Sequence, residues 1–246
     1  MIITNRNLPR VGLSNVGFPQ PYRGASELFE DFVGWGQSMC ATGAGAAPWR
    51  VVGTNGAAAD FTPVIPVTAD GAVEGQINVT VSAVNADGSF AQLNSATFLC
   101  TTGRVMEFVV RFRPDSITTT TAMFGMYALT TDPVGTQPQG FGFRIVNGAL
   151  GYEVKNAGTT LAVTSTGVTL TASTTSGWVR LRAVWDGQSA IRFYKDDVLL
   201  ATYTAAAIPT GIWLSPLFGI QVTAGTASDM NVDYIGCSVE AGSAAR

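Results

Sequence analysis

Histidine is absent from this 246-residue sequence. Its absence removes the commonest general base and the commonest zinc ligand of proteins. It also excludes Ser-His and Cys-His nucleophile pairs, and neither a GxSxG nor an SxxK motif offers another route to an activated nucleophile. We therefore predict no catalytic residues and expect a protein that is not an enzyme.

Charged residues are also scarce, at 13% of the chain against roughly 25% in an average globular protein. The 14 basic and 17 acidic residues give a net charge of only -3, so no basic field for nucleic acid is present. With 46% hydrophobic residues, the chain is too apolar to be disordered. The deficit of charge predicts that part of the surface is shared with a partner protein.

Cysteine occurs three times, as Cys40, Cys100 and Cys237, and never as a CxxC pair. This odd number and wide spacing predict neither a zinc site nor a disulfide framework, and we interpret the three residues as buried free thiols. The segment around Gly43 and Gly45 is rich in glycine but lacks the Lys-Ser/Thr of a phosphate-binding loop. No cofactor and no bound metal are predicted.

One acidic segment imitates a calcium loop. Asp229, Asn231, Asp233 and Glu240 have the spacing of positions 1, 3, 5 and 12 of an EF-hand. The position that requires glycine is occupied by Tyr234, which continues an alternation typical of a strand. The pattern therefore favours the polar outer face of a strand, with a calcium site at the rim of the fold as the alternative.

Neither a secretory leader nor a convincing membrane segment is indicated. The N-terminal residues lack a basic start followed by an apolar stretch. The uncharged stretch between Asp197 and Asp229 is interrupted by proline, glycine and threonine, which predicts two strands joined by a turn. We expect a chain that is made in the cytoplasm and has no membrane partner.

Residues 1–26 differ in composition from the rest of the chain. They contain Arg6, Arg10 and Arg23, no acidic residue, and three prolines that interrupt any regular element. We predict an extended N-terminal arm that docks through its arginines on acidic neighbouring subunits, since arginine suits bidentate pairing at interfaces. The alternative is that the three arginines are simply solvated.

Beyond the arm, the hydrophobic period is two, which predicts an all-β domain over residues 27–246. The clearest strand has four apolar residues on one face and charged residues on the other: Met106, Phe108, Val110 and Phe112 against Glu107, Arg111 and Arg113. Asn147-Gly148 predicts a type I′ hairpin turn, whereas the Thr/Gly-rich segment 159–175 predicts a poorly specified register. Other strands are predicted at 76–84, 122–129, 141–146, 149–154, 178–185, 190–194, 198–204, 216–223 and 230–239.

These segments carry a family resemblance. The run SGWVRLRAVWDGQSAIRFYKDDVLLATYT (176–204) resembles the late hairpin of the concanavalin A-like, or laminin G-like, jelly-roll superfamily. The segments LFEDF and MNVDYIGCSVE are similar to its paired terminal strands. The resemblance implies a two-sheet antiparallel jelly-roll sandwich. One departure is Asp196-Asp197, where members often have Asp-Gly, because aspartate adopts the left-handed conformation less readily than glycine.

Glycosidases on such sandwiches carry carboxylates in an ExDxxE arrangement, which sets the acid and the nucleophile at the required separation. No segment of this sequence matches that arrangement. The nearest group is Glu27, Glu30 and Asp31. We interpret these three as solvated side chains, because unpaired carboxylates are seldom buried.

Within the superfamily, the high Gly/Ala/Thr content and the lack of secretion features look most like the sandwich domains of tailed-bacteriophage virion proteins. This resemblance implies a non-enzymatic structural protein of the virion, made in the host cytoplasm. A capsid decoration protein that stabilises the shell through arm and edge contacts is the leading hypothesis. Its partners would be the major capsid protein or other virion proteins and further copies of itself, for which a trimer is one candidate form.

The alternative is a carbohydrate-binding module or a receptor-binding adhesin of the tail. Trp35, Trp49 and Trp213 lie in turn-rich stretches and could stack on a sugar. The same three residues could instead fill the core or an interface, because aromatic residues are also enriched at protein interfaces. The sequence leaves both possibilities open.

Overall fold

The computed structural model describes residues 26–30, 32, 40–42, 47–57, 60–64, 75–135, 138–157, 163–173, 177–204 and 208–240. Within these ranges the protein is all-β and forms two antiparallel sheets with a common core, as the sequence predicted. No helix in the described part of the chain is long and apolar enough to cross a membrane. The predicted arm lies outside the described residues, apart from Ser26, which begins the first strand.

Sheet A contains both ends of the described chain. Its path runs β15-β14-β13-β8-β17-β5-β4, and β1 pairs with β17 beside β5. The strands are β1 (Ser26–Glu30), β4 (Phe61–Val64), β5 (Gln76–Val81), β8 (Met106–Pro114), β13 (Val179–Trp185), β14 (Ile191–Lys195), β15 (Val198–Tyr203) and β17 (Ser228–Val239).

Sheet B covers the other side of the core. Its path runs β12-β11-β10-β9-β16-β6-β3-β2, and β7 pairs with the start of β16. The strands are β2 (Cys40–Thr42), β3 (Trp49–Val52), β6 (Gly88–Leu93), β7 (Phe98–Cys100), β9 (Thr120–Tyr127), β10 (Gly140–Val146), β11 (Ala149–Lys155), β12 (Val163–Thr169) and β16 (Ile212–Val222). β2 and β3 are parallel, and the other paired strands are antiparallel.

The alternation predicted for β8 is confirmed, with one difference. Its four apolar residues lie in the core between the sheets. On the opposite face, Glu107 and Arg113 are nonetheless buried, because ion pairs with Arg182 (2.5 Å) and Asp115 (2.8 Å) cover them. The outer face of sheet A is therefore a network of paired charges rather than a row of solvated ones.

The predicted turns are also present. Asn147 and Gly148 have φ angles of 49° and 82°, the two positive values that a type I′ turn requires. Asp196 and Asp197 form the same kind of turn, with φ angles of 48° and 67°, in spite of the aspartate at the second position. The weak register of the Thr/Gly-rich segment appears as a shift in the β11–β12 pairing between Leu150 and Gly151.

The Trp-Asp-Gly turn after β13 is built around the Asp186 carboxylate. Its Oδ1 accepts hydrogen bonds from the backbone N–H groups of Gln188 (2.9 Å), Ser189 (2.9 Å) and Ala190 (3.1 Å). Gly187 follows with φ 76°, and a Cβ there would lie 2.7 Å from the carbonyl oxygen of Arg104. This geometry explains why the motif needs aspartate followed by glycine.

We expect Asp186→Ala to lower the free energy of unfolding by about 2 kcal/mol, because three backbone donors lose a charged acceptor. Asp186→Asn, which keeps an oxygen in place, should recover much of the loss. Burial alone would raise the pKa of Asp186, but the three hydrogen bonds and Arg192 lower it overall. The part of the stabilisation that depends on the charge should therefore be present above the ordinary carboxyl pKa and disappear as the pH falls through the lowered one. Urea unfolding of the three proteins at neutral and strongly acidic pH tests this, and an unchanged difference in acid would contradict it.

Candidate functional site

The three tryptophans proposed as sugar or interface contacts have different positions. Trp49 is fully buried and meets the ring of Phe218 edge-on at 5.5 Å, so it is part of the core and cannot contact a glycan. Trp35 lies outside the described residues, as do Arg6, Arg10 and Arg23. Trp213 is 53% exposed and is the one aromatic side chain in the described ranges that is largely exposed.

Trp213 lies near the start of β16, on the outer face of sheet B. Its neighbour Leu214 points into the core and is fully buried, so the alternation of the strand turns Trp213 outward. Across the sheet, Trp213 pairs directly with Leu99 of β7, which is half-buried. The two side chains together form an apolar surface beside the end of the sheet.

Hydroxyl groups lie next to this apolar surface. The backbone N–H of Thr97 donates to the Leu214 carbonyl (3.2 Å), which extends the β7–β16 pairing by one residue. The hydroxyls of Ser95 and Thr97 are hydrogen-bonded to each other at 3.0 Å. We call Ser95, Thr97, Leu99 and Trp213 the rim patch. It combines an exposed indole with neutral donors and acceptors, the composition typical of a sugar-binding surface.

The turn that carries the hydroxyls is held in place from below. The hydroxyl of Ser215, which is fully buried, donates to the Ser95 carbonyl at 2.5 Å. The Thr97 hydroxyl donates to the same carbonyl at 2.9 Å. The Asn94 side-chain amide donates to the carbonyl of Ala47 at 3.1 Å. These bonds fix the position of the turn relative to β16, so the rim patch is preformed.

The outer face of β3 and β6 is covered by the chain that follows β9. Arg50 Nη2 donates to the Thr130 carbonyl (2.7 Å), while Gln92 accepts from the Thr130 N–H (3.1 Å) and donates to the Ala128 carbonyl (3.1 Å). Val134 packs on a small apolar cluster beneath. The members of that cluster are Val52, Phe90, Met123, Tyr127 and Leu217.

A buried polar triad on the same face was not predicted from the sequence. Glu153 accepts hydrogen bonds from the Tyr127 hydroxyl (2.7 Å) and from Arg144 Nε (2.6 Å), and all three residues are buried. Burial, and secondly the neighbouring Glu153, raise the pKa of Tyr127 well above its usual value, so the phenol stays protonated. The triad holds β9, β10 and β11 together.

Glycines make room for this triad. A Cβ at Gly142 would lie 2.6 Å from the Tyr127 hydroxyl, and one at Gly125 would lie 2.9 Å from the Tyr127 ring. The ring of Tyr127 therefore lies against the backbone of β9 and β10, and its hydroxyl reaches Glu153 in β11. Gly125 in β9 and the alternating Gly140 and Gly142 in β10 are the one sequence signal that could have indicated a large side chain lying across these strands.

Three of the residues with calcium-like spacing, Asp229, Asn231 and Asp233, lie in strand β17, as the polar-face interpretation predicted, and Glu240 follows the last residue of the strand. Asp233 is ion-paired with Arg111 (2.5 Å), and Asn231 donates to Asp115 (2.5 Å). Burial, and secondly the charge of Asp115, raise the pKa of Asp229. In the described ranges, no three of His, Cys, Asp or Glu form a group that could hold a metal ion.

Two other predictions concern acidic residues and thiols. Glu30 is buried rather than solvated, because β1 pairs along β17 and brings it into the sheet; the side chains of Glu27 and Asp31 lie outside the described residues. Cys100 and Cys237 are buried and form no disulfide, as predicted, and the side chain of Cys40 lies outside the described residues. Burial raises the pKa of Cys100 to about 12, so its thiol is not a nucleophile at neutral pH.

No protein-family model matches the chain, and no curated protein matches it in sequence. Many solved structures share its fold. An endo-1,3-β-glucanase from Streptomyces sioyaensis is 15% identical, with a TM-score of 0.55 over 92% of this chain and all of that one. A β-glucanase from Bacillus licheniformis is 12% identical, with a TM-score of 0.58 over 85% and 96% of the two chains. A protein of unknown function from Shewanella oneidensis is 15% identical, with a TM-score of 0.58 over 99% of both chains.

These likenesses correct one prediction. We expected a protein that is not an enzyme. Two of the three proteins are glucanases, so enzymes have this same sandwich fold. The lack of histidine and of an ExDxxE pattern therefore does not exclude an enzyme, and that expectation is wrong. At identities of 12–15%, what the comparisons establish is the fold: the chain is a jelly-roll β-sandwich like these three proteins.

Proposed function

We propose that the protein binds a neutral carbohydrate at the rim patch. The observation that carries this proposal is the exposed indole of Trp213 next to a preformed turn that presents the hydrogen-bonded hydroxyls of Ser95 and Thr97. An indole held in water forgoes the favourable burial that the other large side chains of β16 obtain. Stacking against the apolar face of a sugar ring would provide such burial.

The chemistry of the rim patch indicates the class of glycan. Ser95, Thr97, Leu99 and Trp213 carry no charge, so they offer a stacking surface and hydrogen bonds but no ion pair for a uronate or a sulfate. Carbohydrate hydroxyls exchange hydrogen bonds with serine and threonine readily. We therefore expect neutral hexose chains to bind in preference to acidic polysaccharides. The glucanases that share the fold support a carbohydrate ligand.

Trp213→Ala should weaken binding of the glycan by at least about tenfold, the loss expected when a stacking surface worth roughly 1.5 kcal/mol is removed. Trp213→Phe should retain part of the affinity. A glycan array with neutral and acidic polysaccharides would identify the ligand, and isothermal titration with that ligand would measure the change. Val84→Ala removes an equally exposed apolar side chain elsewhere and should leave the affinity unchanged.

Two results would overturn the proposal. One is an array on which the full-length protein binds no glycan. The other is an affinity that Trp213→Ala leaves intact, which would place the binding surface elsewhere on the sandwich.

The virion setting remains a prediction from the sequence. The arm that would dock on a capsid protein was predicted over residues 1–26, of which 1–25 lie outside the described part of the chain. The glycan-binding proposal does not depend on that setting, since a module at the tail of a particle and one on any other surface would use the same patch.

A further inference from the structure

Strand β15 forms one edge of sheet A and is unusually apolar for an edge. It pairs with β14 on one side, and no described strand pairs with it on the other. Val198 and Leu199 at its start are 65% and 50% exposed. An edge strand with exposed apolar side chains and unpaired backbone groups is a ready site for pairing with another strand.

The strands at the other three ends of the two sheet paths are protected. β4 contains Pro63, which has no N–H to donate. β12 consists largely of threonine and serine, and Gly167 within it has φ 74°, which breaks the regular strand conformation. β2 is only three residues long. β15 contains neither proline nor glycine and is six residues long, so none of these features prevents its apolar edge from pairing with another strand.

We propose that β15 pairs with β15 of a second copy of this chain, antiparallel and about a two-fold axis. Such a contact is self-complementary, because each copy supplies the same patch. The exposed Val198 and Leu199 of one copy would cover the Thr202 and Tyr203 end of the other. Sheet A would then continue from one subunit into the next.

Charge at the two ends of β15 favours the antiparallel arrangement. The turn before the strand ends in Asp197, whose side chain is 69% exposed although it is paired with Arg180. At the other end, Arg192 of β14 lies beside Thr202, and its side chain is 41% exposed. Antiparallel pairing brings Asp197 of each copy towards Arg192 of the other. Parallel pairing would bring the two Asp197 side chains together.

The contact should be weak. A bulge at Leu200 interrupts the β14–β15 register and twists the strand. Six residues of edge pairing also bury less than the roughly 1,000 Å² of a stable interface. We expect a dimer that dissociates in the micromolar range, visible at high protein concentration.

Sedimentation velocity of the full chain up to about 100 µM tests the proposal. The protein should shift from monomer to dimer with concentration, and Val198→Lys/Leu199→Lys should weaken this association at least tenfold. Val84→Lys, which charges a valine exposed to 59% in a loop, should leave the dimer unchanged.

A second variant controls for misfolding caused by the substitutions in β15. Arg192→Glu leaves β15 intact but sets acid against acid across the contact, and it should also give a monomer, with an unchanged circular dichroism spectrum. A chain that stays monomeric at all concentrations would overturn the proposal. So would a dimer or trimer that survives both the β15 and the Arg192 variants.

Discussion

Replacing Glu153 with leucine should lower the free energy of unfolding by about 3–5 kcal/mol. The carboxylate neutralises Arg144 at 2.6 Å and accepts the Tyr127 hydroxyl at 2.7 Å, and the three residues are buried on the outer face of sheet B. Without it, Arg144 would keep a desolvated charge, and its Nη2 already has no hydrogen-bond partner among the described residues. The loss should be measured by urea unfolding at neutral pH.

Two companion variants show whether burial is the cause. Arg144→Met/Glu153→Leu removes both charges and should recover most of the loss, because the penalty comes from the unpaired ion rather than from the missing attraction. Arg192→Met breaks an exposed pair, 3.8 Å from Asp186, and should change stability by about 0.5 kcal/mol or less. Equal losses in Glu153→Leu and in the double variant would show that the ion pair is not desolvated.

Phe218→Ala should cost about 3–5 kcal/mol of unfolding free energy. Phe218 lies on the inner face of β16, and its ring contacts three aromatic rings: Trp49 at 5.5 Å, Phe32 at 5.7 Å and Phe61 at 6.0 Å between centroids. These rings come from β3, from β4 and from the chain after β1. Truncation would leave a cavity where both sheets meet, and rigid rings cannot collapse to fill it.

Trp213→Ala is the matched control for Phe218→Ala, since it truncates a larger ring five residues earlier in the same strand. Because that indole is exposed, we expect its removal to change stability by less than about 0.5 kcal/mol. Thermal unfolding of the two variants separates the faces of β16. Comparable losses would mean that the outward and inward assignments along the strand are wrong.

Much of the fold was accessible from local sequence patterns. The alternation of β8 is set by its own residues, and the Asn147-Gly148 turn follows from two residues that tolerate positive φ. Such features need no distant partner. The burial of Glu107 and Glu30 was less accessible, because it depends on strands far away in the sequence that supply Arg182 and place β1 beside β17.

The same distinction applies to the candidate site. In β16 the inward residues Leu214, Phe218 and Ile220 have even numbers, so alternation alone could have predicted that Trp213 points outward. In β3 the same rule could have predicted that Trp49 points inward with Val51. The prolines and glycines near both tryptophans obscure this alternation in the sequence. The neighbours of Trp213 could not have been predicted, since Leu99 reaches it through pairing of strands more than a hundred residues apart.

The position of β17 determines when sheet A can be completed. This last described strand lies inside sheet A, between β8 on one side and β5 and β1 on the other. A ribosome that has translated as far as residue 227 has therefore made sixteen of the seventeen described strands and still lacks the one that joins the two halves of the sheet. Until β17 is synthesised, the facing edges of β8 and β5 are unpaired. β1 also lacks its partner strand, which lies some two hundred residues later in the sequence. The nascent chain must be kept from its neighbours while the sixteen earlier strands are made, so its yield in a cell should depend more on chaperones and on translation speed than on the stability of the folded sandwich.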